Sequence, residues 1–116
     1  MCEIEKRIQG EKAVIRAICE AAIARGFTVS YNDGGDYPVR KSRDVSAIMA
    51  ETHSTDEAAL VIRSETDRRV GAFYLAYGNA PSELIFDQVS QHYSFDDVMD
   101  SLFQAGADAI SGAAMS

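Results

Sequence analysis

The sequence predicts an α+β fold: an antiparallel sheet of four to five strands packed by three helices, in the order αββαβββα, within one domain. Three observations carry this. Residues Ala58 to Asn79 read AALVIRSETDRRVGAFYLAYGN, two apolar runs joined by a charged turn, which is the pattern of a central β-hairpin. The second run, Val70 to Tyr77, is apolar on both faces, so it belongs inside a sheet with helices over at least part of its surface. The intervals between periodic segments are short throughout, which favours antiparallel neighbours.

The elements follow in order. Ile4, Ile8, Ile15, Ile18 and Ala22 fall on one helical face, with Val14, Cys19 and Ile23 widening the stripe and Glu11 interrupting it. Arg25 in the last turn and Gly26 after it supply the charge and the left-handed residue that end a helix. Gly10 is a site where the first turns can fray. Phe27, Val29 and Tyr31 then alternate with Thr28, Ser30 and Asn32, as in a half-buried strand. NDGGD, Asn32 to Asp36, is turn chemistry because glycine tolerates positive φ, so the chain returns through Tyr37 to Lys41. Pro38 cannot donate to a ladder and puts that return at an edge.

Ser42 or Asp44 can cap a short helix with Val45, Ile48 and Met49 on its buried side, ending near Thr52. HSTDE, His53 to Glu57, leads into the hairpin. Beyond it, Gly78, Asn79 and Pro81 mark a reversal, and Leu84, Ile85 and Phe86 supply a further strand within Glu83 to Val89. The last helix is expected to start at Ser94, which with Asp97 forms a capping box, while Tyr93 and Val98 form a hydrophobic staple. Phe95, Val98, Met99 and Leu102 then face inward. Gly106 and the small residues from about 107 weaken continuation, so a disordered tail is expected there. The expected core comprises Ile15, Ile18, Leu60, Ile62, Phe73, Leu75, Val98 and Leu102.

Composition narrows the function classes. At 47% hydrophobic and 25% charged, the 116 residues have the balance of a globular domain, with no apolar run able to span a bilayer and no secretion signal. A cytoplasmic protein without membrane contact is expected. Cys2 and Cys19 lack the spacing of a metal or redox pair, and read as a terminal thiol and a buried helical one. Charge is unevenly spread: residues 1 to 69 hold 12 acids and 11 bases, net −1, whereas residues 70 to 116 hold 6 acids and no Lys or Arg, net −6. That half repels phosphate backbones and attracts basic protein surfaces, so direct nucleic-acid binding is not expected.

Motifs for chemistry are sparse. Asp33, Gly34, Gly35 and Asp36 lack the ligand spacing of an EF-hand and read as a hairpin turn. His53 and His92 each have carboxylates nearby in sequence, but could bind a metal or transfer protons only if folding joined them; they read as surface histidines. No serine sits in GxSxG, no phosphate-binding glycine loop occurs, and no catalytic, cofactor or metal residue is assigned. Arg40, Lys41 and Arg43, with Arg63, Arg68 and Arg69, read as solvated charge. Of the five tyrosines, Tyr74 and Tyr77 read as structural, and Tyr31 and Tyr37 as exposed.

The segments FTVSYNDGGDYPVRKSRDVSAIM and VGAFYLAYGNAPSELIFDQ resemble small proteins carried by bacteriophages and other mobile elements of proteobacteria, with a helix, a strand ending in a glycine turn, a basic stretch, and YGN before an acidic strand. The resemblance implies an accessory role, in which such proteins bind a host or defence protein, as an inhibitor or as an acidic occupant of a nucleic-acid channel. It supplies no catalytic residues. The leading expectation is therefore a non-enzymatic binding protein that meets a basic partner through Asp96, Asp97 and Asp100 on one helix, with the loop residues Asp33, Asp36 and Tyr37 as a second candidate surface. The alternatives are a small enzyme or metal-dependent protein using loop His and Asp residues, and a self-associating protein that forms a homodimer through an edge strand or the last helix.

Overall fold

A computed structural model describes residues 3–115, apart from Ser54 and Asn79. Cys2, read as a terminal thiol, and Asn79, read as part of a reversal, lie outside the described residues. The expected order is observed: α1 (Glu3–Ala24), β1 (Thr28–Asn32), β2 (Val39–Ser42), α2 (Val45–Met49), β3 (Glu57–Arg63), β4 (Arg69–Ala76), β5 (Ile85–Ser90) and α3 (Asp96–Met115), with single 3-10 turns at Pro81–Glu83 and Tyr93–Phe95. The strands form one five-stranded sheet in the order β2-β1-β3-β4-β5, antiparallel throughout. β2, the strand that follows Pro38, is an edge, and β4, apolar on both faces, lies between two neighbours.

Local chemistry explains the boundaries. At the end of α1, the Gly26 N–H donates to Ile23 O and the Phe27 N–H to Ala22 O, with Gly26 at φ +86. In the hairpin loop, the Asp33 carboxylate accepts from the N–H groups of Gly35 and Asp36, and Asn32 Oδ1 accepts from Gly34. Asp44 caps α2 by accepting from Ser46 and Ala47.

One start differs from expectation. His92, not Ser94, is the cap: its Nδ1 accepts from the Ser94 N–H at 3.2 Å and meets the Ser94 hydroxyl at 2.9 Å, which makes a 3-10 turn before α3 begins at Asp96. Tyr93 does not staple the helix either, since it is 80% exposed and lies against the His92 ring at 4.2 Å between centroids. The imidazole accepts from the amide of Ser94 itself, so the cap lies two residues earlier than expected.

The core lies between the sheet and the helices. Ile15 and Ile18 of α1, Ile48 of α2, Leu60, Ile62, Phe73 and Leu75 of the sheet, and Met99 and Leu102 of α3 are fully buried in one cluster, with Val98 partly buried against it. Two glycines allow the close approaches. A Cβ on Gly71 would come within 2.4 Å of Val89 O and 2.7 Å of Met99 Cε, where β4, β5 and α3 meet. On Gly106 it would lie 3.0 Å from Val14 and 3.1 Å from Ile18, so this glycine lets α3 cross α1 at short range.

Candidate functional site

The polar groups with the most connected surroundings lie inside the molecule. Glu11 interrupts the apolar stripe of α1, yet its side chain is fully buried. Its Oε1 accepts from Nε2 of His53 at 3.1 Å, its Oε2 accepts from the Gly78 N–H at 3.2 Å, and Arg7 Nε stands 3.6 Å away. His53 follows α2 at φ +67, a left-handed conformation that a β-carbon makes costly, and its ring lies 4.2 Å from that of Tyr77. The Tyr77 and Tyr31 hydroxyls share a hydrogen bond. Among the described residues, Nδ1 of His53 and Nε of Arg7 are buried without a hydrogen-bond partner.

These contacts join α1 to the segments after α2 and β4. Burial pushes both phenols above the ordinary tyrosine value, and for Tyr77 the hydrogen bond to Tyr31 and the negative charge of Glu11 act in the same direction. Surface cavities beside Tyr37, Pro81 and Tyr74 do not reach this network. It acts as a brace, because a buried carboxylate with two donors holds two loops against one helix.

Two sequence readings are corrected here. His53, expected at the surface, is 17% exposed and paired to Glu11, and Tyr31, expected to be exposed, is fully buried. The missed residue is Glu11. Its signal was a carboxylate at a position where the stripe required an apolar side chain, but its partners lie 42 and 67 positions away in the chain. The fold also keeps the two histidines apart, since Tyr77 follows the end of β4 while Ser90, before His92, pairs with Gly71 near its start. Among the described residues no group of three or more His, Cys, Asp or Glu side chains is arranged to hold a metal. Cys19 is buried, and that burial, with Glu20 beside it, pushes its thiol up to about 12.

The acidic residues form a surface. Asp96, Asp97 and Asp100 are all exposed in the first turns of α3, and Asp100 Oδ1 accepts from Gln88 Nε2 of β5 at 3.0 Å, which ties the helix to the edge strand. Tyr93 projects beside them. Asp33, Asp36 and Tyr37 stand in the β1–β2 loop, at the opposite edge of the sheet and the opposite end of the strands, so the two candidate groups do not make one site. Tyr37 is half exposed, with the Arg40 guanidinium 5.4 Å above its ring.

The chain is thus an α+β domain with a one-sided helical layer, a buried polar brace, and an acidic edge formed by β5 and α3. No protein-family model, curated protein or solved structure matches this chain. Among the described residues, no helix is long and apolar enough to cross a membrane.

Proposed function

We propose that this chain is a non-enzymatic binding protein that presents the start of α3 to a basic surface on a partner protein. One observation carries the reading: every Asp, Glu, Lys or Arg from residue 70 onward is acidic, and the fold gathers Asp96, Asp97 and Asp100 next to Tyr93, the most exposed large hydrophobic side chain among the described residues. An exposed aromatic with an acidic rim combines the two features of a charge-steered contact, an anchor that buries area and charges that speed encounter. The resemblance to phage and mobile-element proteins supports a host or defence protein as the partner, with the domain acting as an inhibitor or filling a nucleic-acid channel in the cytoplasm.

The test begins with recovery of partners from host lysate by the immobilised protein and their identification by mass spectrometry. Binding kinetics of a recovered protein are then measured against Asp96→Lys/Asp100→Lys. The expected outcome is slower association that depends less on salt, with an unfolding midpoint close to that of the parent. Association with the same rate and salt dependence after the double reversal would remove this surface from the interface.

A further inference from the structure

The pairing of β1 with β2 is interrupted by a bulge that gathers positive charge. Val29 pairs with Ser42 and Tyr31 with Val39, so Ser30 alone stands opposite both Arg40 and Lys41. Consecutive residues of a regular strand point to opposite faces, yet here both side chains line one cavity of about 140 Å³ together with Ser30, Tyr37 and Arg63. Lys41 forms the bulge at φ +48, a left-handed conformation that its β-carbon makes costly, and its N–H donates to Ser30 Oγ at 2.9 Å. Arg63 reaches the cavity from β3, two residues beyond Val61, the partner of Ser30. Three cations from two strands therefore meet at one point.

Asp67 shows what these cations can hold. It lies in the β3–β4 turn at φ +66, and its carboxylate accepts from Lys41 Nζ at 2.7 Å, with Arg63 Nη1 3.9 Å away. The Lys41 hydrogen bond keeps that carboxyl below its ordinary value. Arg40 makes no ion pair among the described residues, and its guanidinium lies over the Tyr37 ring at 5.4 Å. An internal carboxylate thus serves two of the cations in part and leaves the fork of the third open. Asp33 and Asp36 stand in the loop of the same edge and bring its charge near balance, so convergence of donors, not bulk attraction, defines the place. Neither lines the cavity, and the Asp33 carboxylate accepts from the amides of its own loop.

We propose that the bulge cavity binds a phosphate group, with Arg40, Lys41 and Arg63 as its donors and Asp67 as the internal carboxylate that it displaces. Guanidinium forks match phosphate oxygens in pairs, and a phosphate offers more oxygens and more charge than the one carboxylate of Asp67. On exchange, Lys41 and Arg63 keep an oxyanion while Arg40 gains one. The strained Lys41 is accounted for as well, because a relaxed strand would turn either Arg40 or Lys41 to the other face. This site lies at the β2 edge of the sheet, across from β5 and the acids of α3, and stands or falls independently of the contact proposed there.

The test is a titration of the full chain with inorganic phosphate at constant ionic strength, followed by amide NMR shifts. Saturable shifts centred on Ser30, Arg40, Lys41 and Arg63 are expected, with a dissociation constant on the order of 1 mM. Arg40→Ala should weaken binding at least ~10-fold and leave the unfolding midpoint unchanged, since this side chain has no ion pair to lose. Asp67→Asn should tighten binding, because it removes the competing carboxylate while asparagine keeps the left-handed turn. Phenyl phosphate titrated in parallel tells the sources of the group apart: tighter binding than inorganic phosphate assigns an ester, weaker binding the free ion. Shifts that grow without saturation, or that spread evenly over the basic residues of the chain, overturn the proposal, and so does an Asp67→Asn protein that binds phosphate no more tightly than the parent.

Discussion

Tyr31 and Tyr77 show how a single hydrogen-bonded contact makes stability depend on pH. Both phenols are held above the ordinary value of 10.0 by burial. A group whose folded pKa is raised contributes stability that is complete below the unfolded pKa and is lost as pH rises beyond it, because the unfolded chain ionises first. Urea midpoints should therefore fall steeply above about pH 10, and Tyr31→Phe/Tyr77→Phe should flatten that fall while lowering the midpoint near neutrality. Identical alkaline slopes in the two proteins would show that these hydroxyls are not sequestered. Neither this pair nor Glu11 was legible in the sequence. Tyr31 alternates with polar residues like any half-buried strand residue, and the histidine that neighbours it in space follows a different helix.

The elements themselves were legible, because hydrophobic period and turn chemistry are local. The alternation in Thr28–Asn32, the NDGGD turn, Pro38 at the edge and the two-sided apolar run of β4 each mark their element within a few residues. The start of α3 was misplaced by two residues because a preference scale for caps favours the Ser94 hydroxyl, whereas the His92 imidazole accepts from the Ser94 amide and begins the turn earlier. Which side of the sheet faces the core has no local signal: Val61 and Ala72 are as apolar as Leu60 and Phe73, although only the latter join the core cluster. Gly71 is the tightest junction of these elements. Gly71→Ala should lower stability by about 1–3 kcal/mol in urea unfolding, since its Cβ would press on Val89 O and Met99. An unchanged midpoint would mean that β5 and α3 do not close over that position.

For the whole molecule, the charge asymmetry read from the sequence becomes spatial: β5 and α3 carry only acidic charge, whereas around β1 and β2 Arg40 and Lys41 are balanced by Asp33 and Asp36. The sequence could give the sum for each half, but not the faces, because side chains alternate between the two sides of a strand and the packing of the helices decides which side is which. The contact of Gly106 with Val14 and Ile18 joins positions 88 to 92 residues apart and carries a temporal consequence. The first helix is made long before the last one, and its apolar stripe must wait for α3 to complete its cover. Closing so long a loop is entropically slow, so refolding in stopped flow should take milliseconds to seconds, whereas a microsecond phase carrying the full amplitude would show that the early helix needs no such closure. Until α3 arrives, a growing chain exposes the α1 stripe and both faces of its strands at once, which makes the interval before residue 96 emerges the period of greatest aggregation risk.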